Sequence, residues 1–305
     1  MNIWQPDPGE ALLARIPVSF ATGAAMRVRG MRWFRDTERN DIQHELQGWP
    51  DGPSFTARST GAAAGRSAVK GAALTAGVAF MAFLSAFGGN VTGGGGGGES
   101  GSDTPDAPAD EVEDFPVMWA APGSLARTLP WQLDPARRDE KRYTTHLIVT
   151  DRRLVIVGLP YDKKDLDLIE DTVLWQCARA DVARLEPRNF KDGNDFTLVF
   201  ADGSWCRLAS FKRSRLTRYL APPRDLIPLR SLTSQQRKTV SDYAAELQMP
   251  GSVSPIITRN PTGRFRVEIL LPRRYSSAFG ASEEVITMDS DGKKVSFSDY
   301  LPEDF

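Results

Sequence analysis

Two histidines and two cysteines are the side chains best suited to nucleophilic chemistry in this chain of 305 residues. A catalytic pair would need Cys177 or Cys206 beside His146, because a neighbouring imidazole activates a thiol by taking its proton. His44 is separated from these three by a long glycine-rich and acidic segment. Both cysteines fall in predicted strands, where buried free thiols are the expected state and a cross-strand disulfide is the alternative. We therefore expect His146 to be a structural or surface residue of a strand.

No motif for a metal, a phosphate or an acid–base pair accompanies these residues. The spacings CxxC and HExxH do not occur in the sequence. Gly93–Gly98 is a run of six glycines, but no Gly-Lys-Ser/Thr follows it, so it does not match a phosphate-binding loop. Asp165 and Asp167 lie in a segment of mixed charge, where solvation explains them. The sequence thus predicts a protein that is not an enzyme, with no catalytic residue, cofactor or metal.

Basic side chains are concentrated between residues 207 and 238, where a single acidic residue opposes them. The nine basic residues are Arg207, Lys212, Arg213, Arg215, Arg218, Arg224, Arg230, Arg237 and Lys238. We predict that Lys212, Arg213, Arg215 and Arg218 contact anionic lipid head groups or an acidic partner from one helix. The alternatives are a solvated basic face and a patch that is occupied by the chain's own acidic segment, 99–114.

Charge and the first residues bear on partners and location. A net charge of -1 gives no overall attraction to nucleic acid, and the basic run contains only Phe211 and Tyr219 as aromatic stacking partners, so nucleic acid is not an expected ligand. The first ten residues carry prolines and acids instead of the regions of a cleavable signal peptide. Since these residues do not resemble a signal peptide and two cysteines are too few for a disulfide scaffold, the predicted location of the folded parts is the cytoplasm.

Short apolar runs joined by tight turns must position these side chains. The predicted strands are Thr144–Val149, Leu154–Leu159, a strand through Val173 and Cys177, Val182–Phe190, Phe196–Phe200 and Trp205–Leu208. Asp-Gly and Gly-Asn pairs in the turns supply the positive φ angles that hairpins need. On the strand 196–200, large apolar residues alternate with Thr197 and Val199, which predicts one buried face. The pattern is that of an antiparallel meander.

This meander resembles a bacterial pleckstrin-homology-like (PH-like) domain, a group that is also similar to GRAM domains. The likeness is carried by THLIVTDRRLVIVG at 145–158, TVLWQCARADVARL at 172–185 and FTLVFADGSWCRL at 196–208, and it covers about a third of the chain. The resemblance implies a strongly bent seven-stranded sheet that a C-terminal helix closes at one corner. That helix would be Ser210–Leu220, and Met118–Thr128 is the candidate opening strand. No basic motif matches the one that binds phosphoinositides in eukaryotic members, so no head-group specificity is implied.

An uncharged segment, GAALTAGVAFMAFLSAFGG, occupies residues 71–89. As a helix it would span about 28 Å, close to the thickness of the hydrocarbon core of a bilayer. Arg66 and Lys70 precede it, which places its N-terminal flank on the cytoplasmic side by the positive-inside rule. Three arrangements are open: a single spanning helix, a membrane-associated or re-entrant helix, and a soluble helix that is buried or loosely docked.

Composition divides the chain into five zones. They are an N-terminal region with a strand at Leu12–Phe20 (1–60), a Gly/Ala-rich apolar helix (61–91), a disordered Gly/acidic linker (92–114), the PH-like β domain (115–221) and a C-terminal α+β extension (222–305). The extension shows a capping box at 233–236 before a helix to about Gln248, a strand at Arg264–Leu271 and a hairpin around 289–292. The predicted fold class is α+β and mainly β: a bent antiparallel PH-like sheet or barrel with a corner helix, the extension and one separate apolar helix.

These features together predict a non-enzymatic interaction or scaffolding protein that is built on a PH-like domain and associated with the membrane through residues 71–89. Its partners would be membrane lipid or another protein. The alternative is a soluble protein–protein adaptor that binds a peptide or partner through a sheet edge or the corner helix.

Overall fold

The computed structural model describes residues 2–21, 28–29, 34–38, 40–50, 56–57, 117–139, 141–188, 193–220, 224–251 and 253–304. Within these ranges the protein is α+β and mainly β, which confirms the predicted class at this level. Its strands form several separate sheets, and none of them closes into a barrel in the part of the chain that is described. The predicted apolar helix (61–91) and the predicted linker (92–114) lie outside the described residues.

The strands and α-helices are numbered in chain order. The strands are β1 (Leu12–Pro17), β2 (Ser19–Phe20), β3 (Val28–Arg29), β4 (Phe34–Arg35), β5 (Thr56–Ala57), β6 (Met118–Trp119), β7 (Tyr143–Thr150), β8 (Arg153–Pro160), β9 (Thr172–Ala178), β10 (Val182–Pro187), β11 (Asp195–Phe200), β12 (Trp205–Ala209), β13 (Ile256–Arg259), β14 (Phe265–Leu270) and β15 (Glu283–Met288). The α-helices are α1 (Arg213–Leu220) and α2 (Ser234–Glu246). The short 3-10 helices are Gln43–Glu45, Leu125–Thr128, Trp131–Leu133, Pro135–Arg137, Arg179–Asp181, Leu229–Ser231, Pro272–Arg274, Phe297–Asp299 and Pro302–Asp304.

These elements belong to two compact units, and each unit is built from separated stretches of chain. The first unit comprises Met1–Pro17, His146–Ala180 and Ser214–Phe305. The second comprises Val18–Thr145 and Asp181–Arg213. The range 115–221, which the sequence assigns to one PH-like domain, therefore contributes chain to both units.

The first unit contains two antiparallel sheets. One has the strand order β1-β7-β8-β9, with Pro17 of β1 opposite His146 of β7 and a register shift in the pairing of β8 with β9 between Ile156 and Val157. The other has the order β13-β14-β15. The predicted hairpin across residues 150–153 is confirmed, because β7 ends at Thr150 and β8 begins at Arg153.

Helix α2 covers the second of these sheets. It starts with the predicted capping box: the hydroxyl of Thr233 accepts from the backbone N–H of Gln236 at 3.2 Å, and the side chain of Gln236 accepts from the N–H of Thr233 at 2.9 Å. Val240 and Tyr243 belong, together with Val267 of β14, to one buried apolar cluster. The capping box in the sequence therefore identifies the start of this helix.

The second unit is organised around a sheet of order β10-β11-β12-β6-β4, and β2 also pairs with β12. The two predicted hairpins are confirmed, since β11 is antiparallel to β10 on one side and to β12 on the other, with Leu198 opposite both Leu185 and Cys206. Strand β11 is buried along its whole length, including Thr197 and Val199. The expectation of a single buried face is therefore wrong here, because both faces of β11 are covered.

Two predicted strands differ from those observed. The strand predicted at Leu12–Phe20 is divided into β1 and β2, with Val18 between them. The stretch Met118–Thr128 contributes only the two residues of β6 and then a 3-10 helix. The strand stops there because Pro122 and Gly123 follow, and Gly123 has a φ of 77°, which extended chain does not use.

Two further predictions hold only in part. The corner helix begins at Arg213 instead of Ser210, because Ser210 occupies the turn before it and its carbonyl accepts from the N–H of Arg213 at 3.1 Å. The predicted C-terminal hairpin retains its turn, but its second arm is reduced to the bridge between Met288 and Lys294. A 3-10 helix then begins at Phe297.

Candidate functional site: a basic helix and two buried ionic clusters

Two of the four predicted contact residues belong to the second unit. Lys212 and Arg213 are half-buried there. The guanidinium of Arg213 donates to the carbonyl oxygens of Asp195, at 2.7 Å, and of Arg188. Burial lowers the pKa of Arg213, and the charge of Asp195 opposes that effect. Arg213 therefore binds the backbone at the facing ends of β10 and β11.

The other two, Arg215 and Arg218, belong to the first unit and converge on one carboxylate, Glu268 of β14. Arg215 lies 2.9 Å from Oε2 of Glu268, and Arg218 lies 3.0 Å from Oε1. Arg215 also donates twice to the carbonyl of Leu13, at 3.0 and 2.8 Å, and pairs with Glu283 at 3.2 Å. Its side chain is 5 % exposed, against 21 % for Arg218. Arg215 is thus a buried ion-pair residue, and of these two only Arg218 reaches the surface.

The cluster around Glu268 extends to the C-terminal segment. Arg266 of β14 binds Glu268 at 2.6 Å and donates to the backbone carbonyl of Asp304 at 2.7 Å. The buried carboxylate of Asp304 accepts from Asn260 at 2.6 Å and from Arg264 at 2.7 Å. These contacts attach the segment before residue 305 to the sheet β13-β14-β15.

The charge state of Glu268 follows from this arrangement. Burial alone would raise the pKa of Glu268, but the guanidinium groups of Arg215, Arg266 and Arg218 more than offset it, so the pKa falls to about 2. Tyr219, which lies beside the same carboxylate, has its pKa raised by burial and by the negative charge of Glu268. Glu268 is therefore ionised and Tyr219 is a neutral phenol throughout the physiological range.

A second ionic cluster in the first unit contains His146. Arg15 of β1 donates through Nη1 and Nη2 to the two carboxylate oxygens of Asp171, each at 2.7 Å. Its Nε donates to Nδ1 of His146 at 3.2 Å, and Nε2 of His146 lies 2.9 Å from the carbonyl oxygen of Ser277. The guanidinium also lies over the ring of Tyr275, 5.3 Å from its centroid. All of these side chains are buried, so the cluster is closed to solvent.

The cysteines are buried free thiols, which confirms the sequence-based expectation. Cys177 lies on β9, and β8 separates that strand from β7, which carries His146. Two strand spacings amount to about 10 Å, which is beyond hydrogen-bond reach, so Cys177 and His146 do not form a nucleophilic pair. Cys206 belongs to the other unit.

The remaining candidates are at the surface. His44 lies in a 3-10 helix and its side chain is 77 % exposed. Asp165 and Asp167 are both exposed, as solvation of that segment predicts. Among the described residues, no group of three or more His, Cys, Asp or Glu is arranged to hold a metal ion.

A small cavity in the first unit lies beside the buried ionic residues. It is lined by Gln5, Pro6, Glu10, Leu12, Val253, Ser254, Leu270 and Tyr275. Its volume of about 20 Å³ has room for one water molecule.

Sequence reasoning did not identify Arg15, Asp171 or Glu268 as the centres of these clusters. A signal exists for two of them, since Arg15 interrupts the apolar strand LLARIP and Glu268 interrupts FRVEIL. A charged residue inside an apolar strand points to a buried ion pair. Asp171 gives no such signal, because it follows an exposed segment of mixed charge.

Over the described residues, no helix has both the length and the apolar character needed to cross a bilayer. Comparison of the chain with protein-family models, with curated proteins and with solved structures finds no match. The PH-like resemblance therefore stays a prediction from the sequence.

Proposed function

We propose that this protein is a non-enzymatic interaction or scaffolding protein, built on a PH-like domain and associated with the membrane through residues 71–89. The observation that carries the non-enzymatic part is the closure of the cluster of Arg15, His146 and Asp171. A general acid or base must come within hydrogen-bond reach of its substrate. These three groups instead bind one another and the carbonyl of Ser277, and His146 is 0 % exposed.

The PH-like part is supported by the order of local elements. The hairpin of β7 and β8 turns at 150–153, the meander β10-β11-β12 turns at Gly193 and Gly203, and α1 follows β12 directly. Both glycines have positive φ, 65° and 84°, as such turns require. This sequence of elements matches the three segments on which the resemblance rests.

The membrane part is supported by the sequence of residues 71–89, which carries no charge and follows Arg66 and Lys70. The test is fractionation of cells that produce the full chain or a variant lacking 71–89. We expect the full chain in the membrane pellet after detergent-free lysis and the deletion variant in the supernatant. Deletion of 92–110, which removes the same number of residues from the acidic segment, is the matched control and should leave the protein in the pellet. Full-length protein in the supernatant would refute membrane association.

The predicted lipid contact is tested separately, by liposome flotation of the chain that lacks 71–89. Binding that requires anionic lipid and weakens in Lys212→Gln and Arg218→Gln would support a head-group contact. Arg237→Gln, on α2, removes one positive charge outside the four predicted contact residues and is the control. If all three variants float equally well, or if none binds with or without anionic lipid, these two side chains are not lipid contacts.

A second candidate function is a soluble adaptor that adds an extended peptide beside β9. Among the described strands, β9 is at the end of its sheet order; its sequence TVLWQCA contains no charge and no proline, and Val173 is 50 % exposed. The terminal strand β10 differs, because it carries Arg184 and Glu186 and ends at Pro187. Charges and prolines of this kind discourage strand addition, and β9 lacks them.

A single charge introduced on β9 tests the adaptor hypothesis. In the chain that lacks 71–89, Val173→Lys should abolish binding of a partner recovered with the full chain, whereas Leu229→Lys, at another exposed apolar position, should not. Protection of the Thr172–Leu174 amides from hydrogen exchange in the complex would locate the peptide. Retained binding by Val173→Lys would exclude β9 as the contact strand.

A further inference from the structure

His146 carries one ring proton, and its position follows from its partners. A guanidinium has donors only, so Nδ1 of His146 must accept the 3.2 Å hydrogen bond from Nε of Arg15. Nε2 therefore carries the hydrogen and donates to the carbonyl oxygen of Ser277 at 2.9 Å. With both nitrogens used in this way and 0 % exposure, the imidazole is neutral in the folded protein.

A second proton would have to sit on Nδ1, directly against an N–H of Arg15. Two donors and two positive charges would then meet at about 3.2 Å in a buried site. The described charged and titratable groups in contact with this cluster include Arg15 from β1, Asp171 from the segment before β9 and Tyr275 from the segment before β15, and the charge of Arg215 from α1 also acts on Tyr275.

None of these groups compensates the extra charge. Both oxygens of Asp171 already accept from Arg15, and one of them also accepts from the backbone N–H of Trp4 at 2.7 Å. Burial raises the pKa of Tyr275 to about 12, so its phenol stays neutral. Protonation of His146 therefore requires that Arg15 move away.

Arg15 cannot move alone, because its cluster fixes three separate segments. Asp171 exchanges backbone and side-chain hydrogen bonds with Asn2, at 2.7 and 3.2 Å, which fixes the N-terminal residues. Arg15 itself belongs to β1. The turn after Tyr275 is bound through Ser277, whose carbonyl accepts from His146 and whose N–H donates to Leu166 at 2.7 Å.

We propose that His146 is the sensor of an acid-triggered switch in the first unit: its second proton breaks the Arg15–His146–Asp171 cluster and releases these three segments together. The imidazole of an unfolded or opened chain takes up its proton near pH 6.5. An imidazole that is neutral in the closed state and binds its second proton only in the open state favours opening as the pH falls. Well below pH 6.5, the equilibrium constant for opening rises about tenfold for each pH unit. This switch does not depend on the proposed membrane or adaptor function.

The chain contains two histidines, so proton NMR of the imidazole signals tests the switch on the unmodified protein. The signal of His44, whose side chain is 77 % exposed, serves as the reference for a solvent-exposed imidazole. The signal of His146 should keep its neutral position until the amides of the first unit begin to exchange rapidly. A smooth titration of His146 near pH 6.5 with those amides still protected would overturn the proposal.

A variant pair gives a second, independent measurement. His146→Gln supplies an acceptor and a donor but takes up no proton in this range, and His44→Gln is the matched control. Between pH 6.5 and 5.5 the opening constant, from urea unfolding or hydrogen exchange, should rise about fivefold in the wild type and in His44→Gln and stay nearly constant in His146→Gln. An equal rise in His146→Gln would refute the sensor role. If that variant does not fold at pH 7.5, the NMR titration of the wild type decides.

Discussion

Arg15 and Asp171 form two parallel hydrogen bonds, each 2.7 Å long, although 156 positions separate them in the chain. Their side chains are 1 % and 2 % exposed. A buried pair of this kind gives little net stability over an apolar pair of similar volume, because both charges lose their hydration. Removal of one partner is far more damaging, since it leaves the other charge buried and uncompensated.

Asp171→Asn is therefore expected to lower the free energy of unfolding by about 3–5 kcal/mol, measured by urea denaturation at pH 7.5. Asp167→Asn, an exposed change in the same segment, should stay within about 0.5 kcal/mol of the wild type. The double variant Arg15→Met/Asp171→Leu should recover most of the loss, because it leaves no unpaired charge. Equal effects of Asp171→Asn and Asp167→Asn would show that the pair is not buried as described.

The buried carboxylate of Glu268 makes the stability of the fold depend on pH in the acid range. Its folded-state pKa of about 2 lies below its ordinary value of 4.5, so its charge stabilises the fold fully above about pH 4.5, and that contribution is lost as the pH falls toward 2. Glu268→Gln should lower the Tm at pH 7 and flatten its dependence on pH between about 4.5 and 2. Glu283→Gln, at a more exposed partner of Arg215, should lower the Tm less. An unchanged acid slope in Glu268→Gln would contradict this prediction.

Gly280 is expected to tolerate no side chain. It has a φ of 69°, and a Cβ would lie 2.3 Å from the carbonyl oxygen of Arg15, which already accepts from the N–H of Ala281. Gly280→Ala should cost about 2–5 kcal/mol, from left-handed backbone strain together with overpacking. Gly203→Ala, where φ is 84° but no atom lies within 4 Å of the added Cβ, should cost only the strain, about 1–2 kcal/mol. Urea denaturation of both variants would show whether the contact with Arg15 adds to the cost.

Leu198 tests the register of the meander. It is 1 % exposed on β11, opposite Leu185 and Cys206, so Leu198→Ala should cost about 2–5 kcal/mol. Val173→Ala, at a position that is 50 % exposed, should change the stability by a few tenths of a kcal/mol. Thermal unfolding of both variants measures the difference, and a surface-like effect at Leu198 would refute the register.

The sequence predicts those parts of the fold that depend on neighbouring residues. The hairpin turns and the capping box of Thr233 and Gln236 can be identified because a turn or a helix start requires particular residue types within four positions. The length of strands is less predictable, as Met118–Thr128 shows, since pairing with a partner strand decides it.

Sequence patterns do not predict the partners within the ionic clusters, because those partners are brought together by the tertiary fold. Arg15 in LLARIP indicates that a buried partner must exist, but the pattern does not show which of the many carboxylates in the chain it is. Asp171 becomes that partner only because β1 pairs with β7 and brings the segment before β9 close to it. The same holds for Glu268, whose arginines come from α1 and from its own strand.

The first unit is assembled from separated stretches of the chain, and this affects the order of folding during synthesis. Its strand β1 leaves the ribosome roughly 250 residues before Glu268, and at about 5–20 residues per second this delay is on the order of tens of seconds. The second unit has all of its chain once residue 213 is made. We therefore expect the second unit to fold first during translation, while Leu12–Pro17 acquires its contacts with the chain beyond Glu268, such as the hydrogen bond from the N–H of Ala281 to the carbonyl of Arg15, only after those residues are made.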